Sequence, residues 1–240
     1  MNADLPSGPD KDDERTEHDE RQAEPPGTQG DAPVDAQLDA QLDAAASALL
    51  HGQVVLYPTE TLYALGCAAH RAEACARIAA LKGRPEAKPF PLLLGDLDGL
   101  EAIADEVPPD LQLLAERFWP GPLSVLVRTK DHLPRFVRDE NGFSSVRITP
   151  HPTARELCRR AGPALVATSA NRSGLPAAST PGELDPALLA GANAALLARP
   201  WPAGGEPSTL VRLLGGGRLS ILRPGAVGLA ALAQVFRIVF

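Results

Sequence analysis

Apolar positions along residues 35–240 follow two rhythms, one close to helical and one close to every second residue. The block "DAQLDAQLDAAASALLHG" puts Leu38, Leu42, Ala46 and Leu49 on one helical face, with Gly52 available just beyond the helix end. "QVVLY" then reads as a buried strand, and "RAEACARIAALKG" as a helix with Cys75, Ile78 and Leu81 inward, closed by Gly83. "PFPLLLG" predicts a strand, and "DLDGLEAIA" and "PPDLQLLAERFW" predict helices, the second opened by proline. "LSVLVR" and "SSVRIT" predict strands, "HPTARELCRRAG" a helix, "PALVATS" a strand, "DPALLAG" a short helix and "AALLA" a further strand. "STLVRLL", the Gly215-Gly216-Gly217 turn and "LSILRPG" predict a hairpin, followed by a terminal helix over "AVGLAALAQVF". The alternation implies an α/β fold with a mixed β-sheet flanked by helices. No Pro/Ser/Gly-rich linker interrupts residues 35–240, which predicts one domain there.

Residues 1–34 carry almost no large apolar side chain, and this composition predicts a disordered acidic arm. The charge is uneven: residues 1–45 hold 13 acids and 3 bases, which leaves 17 acids and 20 bases in residues 46–240. A formal charge of −7 thus conceals a mildly basic body, suited to an anionic ligand or to RNA. Apolar runs are too short to span a bilayer and the N-terminus is acidic, so no membrane segment or secretory signal is expected. Cys67, Cys75 and Cys158 form no CxxC pair, and the five histidines lack ligand spacing. That pattern suits a reducing cytoplasm and offers no structural metal site.

The sequence contains neither GxxxxGK[ST] nor a GxGxxG after a strand, which excludes two common phosphate loops. Polar clusters stand instead at element boundaries. "YPTETLYALGC" ends a strand with Thr59, Glu60 and Thr61, either as turn punctuation or as ligand-facing hydroxyls. Lys82 and Arg84 follow a helix, where bases suit the helix dipole as readily as an anion, and lead into a loop with Pro85, Lys88, Pro89 and Pro91. "ALVATSANRSG" ends a strand with Ser169 and Asn171, which serve equally as a cap or as phosphate ligands. Arg147 inside "SSVRIT" is either half of a salt bridge or an anion clamp, and Ser208 and Arg223 repeat the theme.

Taken in order, these stretches resemble a known family. "YPTETLYALGC" is similar to PTDTVYGLGC, "LKGRP...KPFPLLL" to a KxR element, "FWPGPLSVLV" to WPGPLTLVL and "VRITPHP" to VRVPDHP. "VATSANRSG" is similar to an SxN element, and "STLVRL...ILRPGAV" to STVVD...ILRPGAI. From about Leu38 to Val227 the chain resembles the YrdC-type threonylcarbamoyladenylate synthases, in their single-domain form.

The resemblance implies a twisted YrdC-like sheet around a concave cavity. It implies that L-threonine, bicarbonate or CO2, and ATP with Mg²⁺ give threonylcarbamoyl-AMP and pyrophosphate. Partner proteins would then transfer the group to adenosine 37 of tRNA. Lys82, Arg84, Ser169 and Asn171 match the catalytic elements and would also hold ATP; Thr59, Thr61, Tyr63 and Arg147 would receive threonine; Ser145, Ser208 and Arg223 would contact the nucleotide. Glu60 replaces the usual Asp, Ala64 the usual Gly, and Arg212 stands where an acid is common. A non-catalytic relative that binds double-stranded RNA or tRNA is the alternative, although aromatics for base stacking make up only 4% of residues. A carbamoyl-adenylating module of the hydrogenase-maturation type is a third reading, disfavoured because the zinc-finger and acylphosphatase-like parts that accompany it are missing from this sequence.

Overall fold

The computed structural model describes residues 32–83 and 88–239. The arm expected at 1–34 lies outside them up to residue 31, and so does Arg84. The first helix is α1 (Ala32–Leu50), followed by β1 (Val55–Pro58), β2 (Tyr63–Gly66) and α2 (Ala72–Lys82). Next come β3 (Leu92–Leu94), α3 (Leu97–Ile103), α4 (Pro109–Phe118), β4 (Leu123–Arg128), β5 (Phe143–Ile148) and α5 (Pro152–Ala161). After β6 (Leu165–Val166), β7 (Thr168–Ser169), α6 (Pro186–Gly191) and β8 (Ala194–Ala195), the chain closes with β9 (Thr209–Gly215), β10 (Arg218–Arg223), α7 (Leu229–Ala233) and β11 (Arg237–Ile238).

The strands form two mixed sheets rather than one, ordered β7-β2-β1-β8 and β11-β10-β9-β4-β5-β3-β6. The segment read as a single strand, "PALVATS", divides between them: β6 pairs antiparallel with β3, and β7 pairs antiparallel with β2. Two elements escaped the sequence pattern. β2 is short and follows a polar turn, and β11 begins just past the expected terminal helix, which is helical only over Leu229–Ala233, and pairs parallel with β10.

Both faces of β1 are covered, which explains its unbroken apolar run. Val54 and Leu56 pack into the larger core with Ile78, Leu92 and Leu123, while Val55 and Tyr57 face Leu42, Leu49 and Leu157 of α1 and α5. The predicted stripe on α1 holds: Leu42, Ala46 and Leu49 are buried, and its polar side engages Arg160 through Asp39 and Asp43. In α2, Cys75 and Ile78 are buried and Leu81 is only partly so, with Gly83 in the left-handed conformation as the cap. The three cysteines are free, and Cys67 and Cys75 lie with their Sγ atoms 3.6 Å apart in the core. Among the described residues, no helix is long and apolar enough to cross a membrane.

Gly66 of β2 lies directly against Val166 of β6 in the other sheet. A Cβ there would stand 2.0 Å from the Val166 carbonyl oxygen and 2.7 Å from the Tyr57 ring, whose hydroxyl already donates to that carbonyl. Neither neighbour can give way, because both are held in strands. Gly66→Ala should therefore destabilise the fold by about 3 kcal/mol, the upper end for overpacking, read from the midpoint of urea unfolding.

Candidate active site

A cavity of about 440 Å³ opens where the β1–β2 turn meets the exposed face of β5 and β9. Strand alternation supplies much of its wall. In β5, Ser144, Val146 and Ile148 are buried, so Phe143, Ser145 and Arg147 stand on the opposite face, and Leu210 does the same in β9. Thr59, Thr61, Tyr63, Ser145, Arg147, Ser169, Ser208 and Arg223, all picked from the sequence, line this cavity. Lys82 and Asn171 do not line it, and Arg84 lies outside the described residues.

The polar turn after β1 closes a hairpin rather than leading into a helix. Pro58 pairs with Tyr63 across it, the Thr59 amide donates to the Leu62 carbonyl at 3.1 Å, and the Thr59 hydroxyl donates to the same oxygen at 2.7 Å. Thr59 thus spends its hydroxyl proton on the turn. Tyr63 is different: its buried hydroxyl has no partner among the described residues, and burial pushes its pKa up to about 12. It is a neutral donor held ready at the cavity wall.

Glu60 and Arg147 form a nearly buried ion pair, Oε1 to Nε at 3.0 Å, with their side chains 12% and 11% exposed. Thr149 donates its hydroxyl to the other Glu60 oxygen at 2.7 Å. Beyond the pair, Ser208 gathers the cations. Arg223 donates to its carbonyl at 2.7 Å and its hydroxyl at 3.2 Å, Arg147 reaches that hydroxyl at 3.5 Å, and Ser124 shares a 2.9 Å hydrogen bond with it. Burial, and then the charge of Arg147, lowers the Arg223 pKa. Two guanidinium groups share one wall against a single carboxylate, with Lys88 also on the rim. That arrangement attracts an anion of more than one charge.

Lys82 is buried, and its ammonium donates to the Ser169 carbonyl, to the Asn171 carbonyl at 2.6 Å and to Asn171 Oδ1 at 3.5 Å. Ser169 in turn donates its hydroxyl to Asn171 Oδ1 at 2.5 Å. The KxR lysine and the SxN turn are therefore one constellation, brought together from α2 and β7. As for a metal, the described residues contain no cluster of three His, Cys, Asp or Glu, and Ser169 and Asn171 bring only neutral oxygens. Such oxygens fit the hydrated shell of Mg²⁺ carried on phosphates.

The sequence reading missed Ser124 and Thr149, which orient the charged groups without lining the cavity. Their signal was faint: a serine within the otherwise apolar "LSVLV" and a threonine at the end of β5. His151, the residue before α5, is also buried here, and desolvation holds its pKa below the usual value against the upward pull of the Pro200 carbonyl and Glu60.

These features define an α/β protein with a cationic, hydroxyl-lined cavity between two sheets. The family profile described as telomere recombination, covering Sua5, YciO and YrdC, matches residues 47–225, and the chain belongs to that family. A threonylcarbamoyl-AMP synthase of Methylococcus capsulatus is 39% identical over 137 residues, 57% of this chain and 74% of that protein. One from Pyrococcus abyssi is 36% identical over 132 residues, 55% of this chain and 39% of the relative. Among solved structures, a P. abyssi Sua5 variant superposes with a TM-score of 0.76 at 30% identity, over 82% of this chain and 61% of its own. P. abyssi Sua5 complexed with L-threonine gives 0.71 at 29%, over 82% and 58%. The chain thus spans about three-fifths of the Sua5 chains it superposes on.

Two variants test the network. Glu60→Gln leaves the Arg147 guanidinium without its counter-charge and should cost about 3 kcal/mol of stability, measured by chemical denaturation. For His151 the folded pKa lies below its unfolded value near 6.5, so its contribution is complete above that pH and is lost as pH falls below it. His151→Gln should flatten the decline in melting temperature as pH falls below about 6.5, leaving the share due to His70, whose pKa is also lowered.

Proposed function

We propose that this chain is an L-threonylcarbamoyladenylate synthase, joining L-threonine, bicarbonate or CO2, and ATP into threonylcarbamoyl-AMP with release of pyrophosphate. The observation that carries the reading is the convergence of Arg147 and Arg223 on Ser208 in a cavity that also presents the unpartnered Tyr63 hydroxyl. Family membership and the named relatives support it. So does the resemblance of a solved relative bound to L-threonine.

In this reaction the threonine amine is first carboxylated. One oxygen of the resulting carbamate then attacks the α-phosphorus of ATP, and the bond from that phosphorus to the bridging oxygen breaks as pyrophosphate leaves. Negative charge from carboxylate, carbamate and triphosphate accumulates in one pocket. Arg147 and Arg223 offset it without moving, because Glu60 and Ser208 already fix them. Catalysis is then chiefly positioning and charge neutralisation, with no covalent enzyme intermediate.

Tyr63 and Thr61 bond the amino acid, and Ser145, Ser208 and the SxN turn face the nucleotide. Lys82 acts from behind that turn, and Arg84 completes the cationic set. Mg²⁺ enters with ATP and shields its phosphates. The product would serve partner proteins that modify adenosine 37 of tRNA, and the three free thiols suit a cytoplasmic setting.

Pyrophosphate release by the purified chain with ATP, Mg²⁺ and bicarbonate tests the reading. L-Threonine should stimulate release at least about tenfold over no amino acid, with L-serine weaker because it lacks one methyl. Tyr63→Phe should raise the KM for threonine more than it lowers kcat, and Lys82→Ala should lower kcat about a hundredfold by releasing the SxN turn. Release that does not depend on threonine, from folded protein, would set the proposal aside in favour of a binding role.

A further inference from the structure

Away from the catalytic cavity, and sharing no lining residue with it, a groove of about 610 Å³ runs between α3 and α4. Its floor is apolar: Leu100, Trp119 and Ile148 are buried beneath it, and Leu97 stands at its edge 51% exposed. Trp119 is fixed by donating its indole N–H to the Leu123 carbonyl at 2.6 Å, so its ring is a rigid wall rather than a mobile flap. An apolar groove of this size between two helices is the shape that receives the side chains of a third helix.

The rim decides which helix. Asp98 and Glu101 project from α3 one turn apart, and Glu116 faces them from α4. Among the described residues, no cation forms an ion pair with any of the three. The neighbouring cations are otherwise engaged: Arg155 donates to the Gly95 carbonyl at 3.1 Å, and Lys130 donates to the carbonyls of Glu101 and Ala102 at 2.8 and 3.1 Å. The groove lining thus holds four carboxylates, Asp96, Asp98, Glu101 and Glu116, against the single guanidinium of Arg155, an excess of negative charge that an incoming cation offsets. Nucleic acid and anionic lipid are repelled by the same rim. The basic face of α5 in a second copy does not qualify either, because Arg159 and Arg160 are already paired with Glu156, Asp39 and Asp43.

We infer that the α3–α4 groove is a docking site for a partner protein that presents an amphipathic helix with an apolar stripe flanked by Lys or Arg. The apolar stripe fills the trough over Trp119 and Leu100, and the basic flanks meet Asp98 and Glu101 on one side and Glu116 on the other. Because the groove is separate from the catalytic cavity, docking and catalysis can proceed together.

The test uses a fluorescein-labelled peptide of about fourteen residues with Leu and Lys in helical register, its Glu-for-Lys counterpart, and a scrambled Leu/Lys peptide. Fluorescence anisotropy is followed with the full chain and with Glu101→Lys/Glu116→Lys. The wild type should bind the basic helix at least about tenfold more tightly than the scrambled peptide and should not bind the acidic one. The double variant should lose at least about tenfold for the basic helix and gain binding of the acidic one. Should the charge reversal impair folding, judged by thermal unfolding, Glu101→Gln/Glu116→Gln carries the same expectation of loss for the basic helix. Equal affinity of wild type and variant, equal affinity for the scrambled peptide, or full displacement by spermidine at the peptide's concentration would overturn the inference.

Discussion

The ion pair between Glu60 and Arg147 is the contact on which the site depends. Glu60 belongs to the β1–β2 turn of the four-stranded sheet, and Arg147 to β5 of the seven-stranded sheet. Their 3.0 Å contact, with Thr149 donating to the second oxygen, closes the cavity at the junction of the sheets and fixes a guanidinium at its wall. A nearly buried pair of this kind adds little net stability over an apolar pair of the same shape, because both charges had to leave water. What it adds is placement. Removing the carboxylate would leave a cation without compensation in the very region where substrate charge is expected to gather.

The second link between the sheets is covalent. Residues 163–169 pass from one sheet to the other, and that passage delivers Ser169 to the cavity wall beside β2. Lys82 then locks the turn from the opposite side, donating to two carbonyls and an amide oxygen of the SxN element. Lys82, which in sequence simply follows a helix, is buried and ties the turn through these bonds. The helix dipole favours a base at that end, and the fold supplies its partners from the SxN turn.

Much of the fold was legible because its elements are ordinary in their rhythm: the α1 stripe through Leu42 and Leu49, the unbroken β1 run buried on two faces, and Pro109 and Pro152 opening their helices. β2 and β11 were not, because strands this short lie below the length at which alternation can be told from chance, and tertiary pairing alone makes them strands. At the site, the residues that line the cavity were legible through their family wording, while those that orient them were not. Ser124 and Thr149 act through hydrogen bonds of 2.9 and 2.7 Å to Ser208 and Glu60, residues far from them in sequence, and no spacing along the chain encodes that.

The departures from family wording now have physical content. Ala64 pairs with Ser169 across β2 and β7 and lines the cavity, so its methyl takes space that a glycine would leave open beside the SxN turn. Arg212 lies on the exposed face of β9 with its guanidinium 5.4 Å from the Phe143 ring, a cation resting on an aromatic face at the far end of the strand wall that bears Ser145. An acid at this position would be repelled by that ring face and would oppose Arg147 and Arg223 on the same side of the sheet. Arginine reverses both effects, and the basic face of the sheet continues past the cavity instead of ending at it. Glu60 keeps the charge of the usual aspartate with one more methylene, and in this fold that carboxylate reaches Arg147 and Thr149 together. The three substitutions thus alter the size, the reach and the electrostatic extent of the cavity while leaving its two converging guanidinium groups in place.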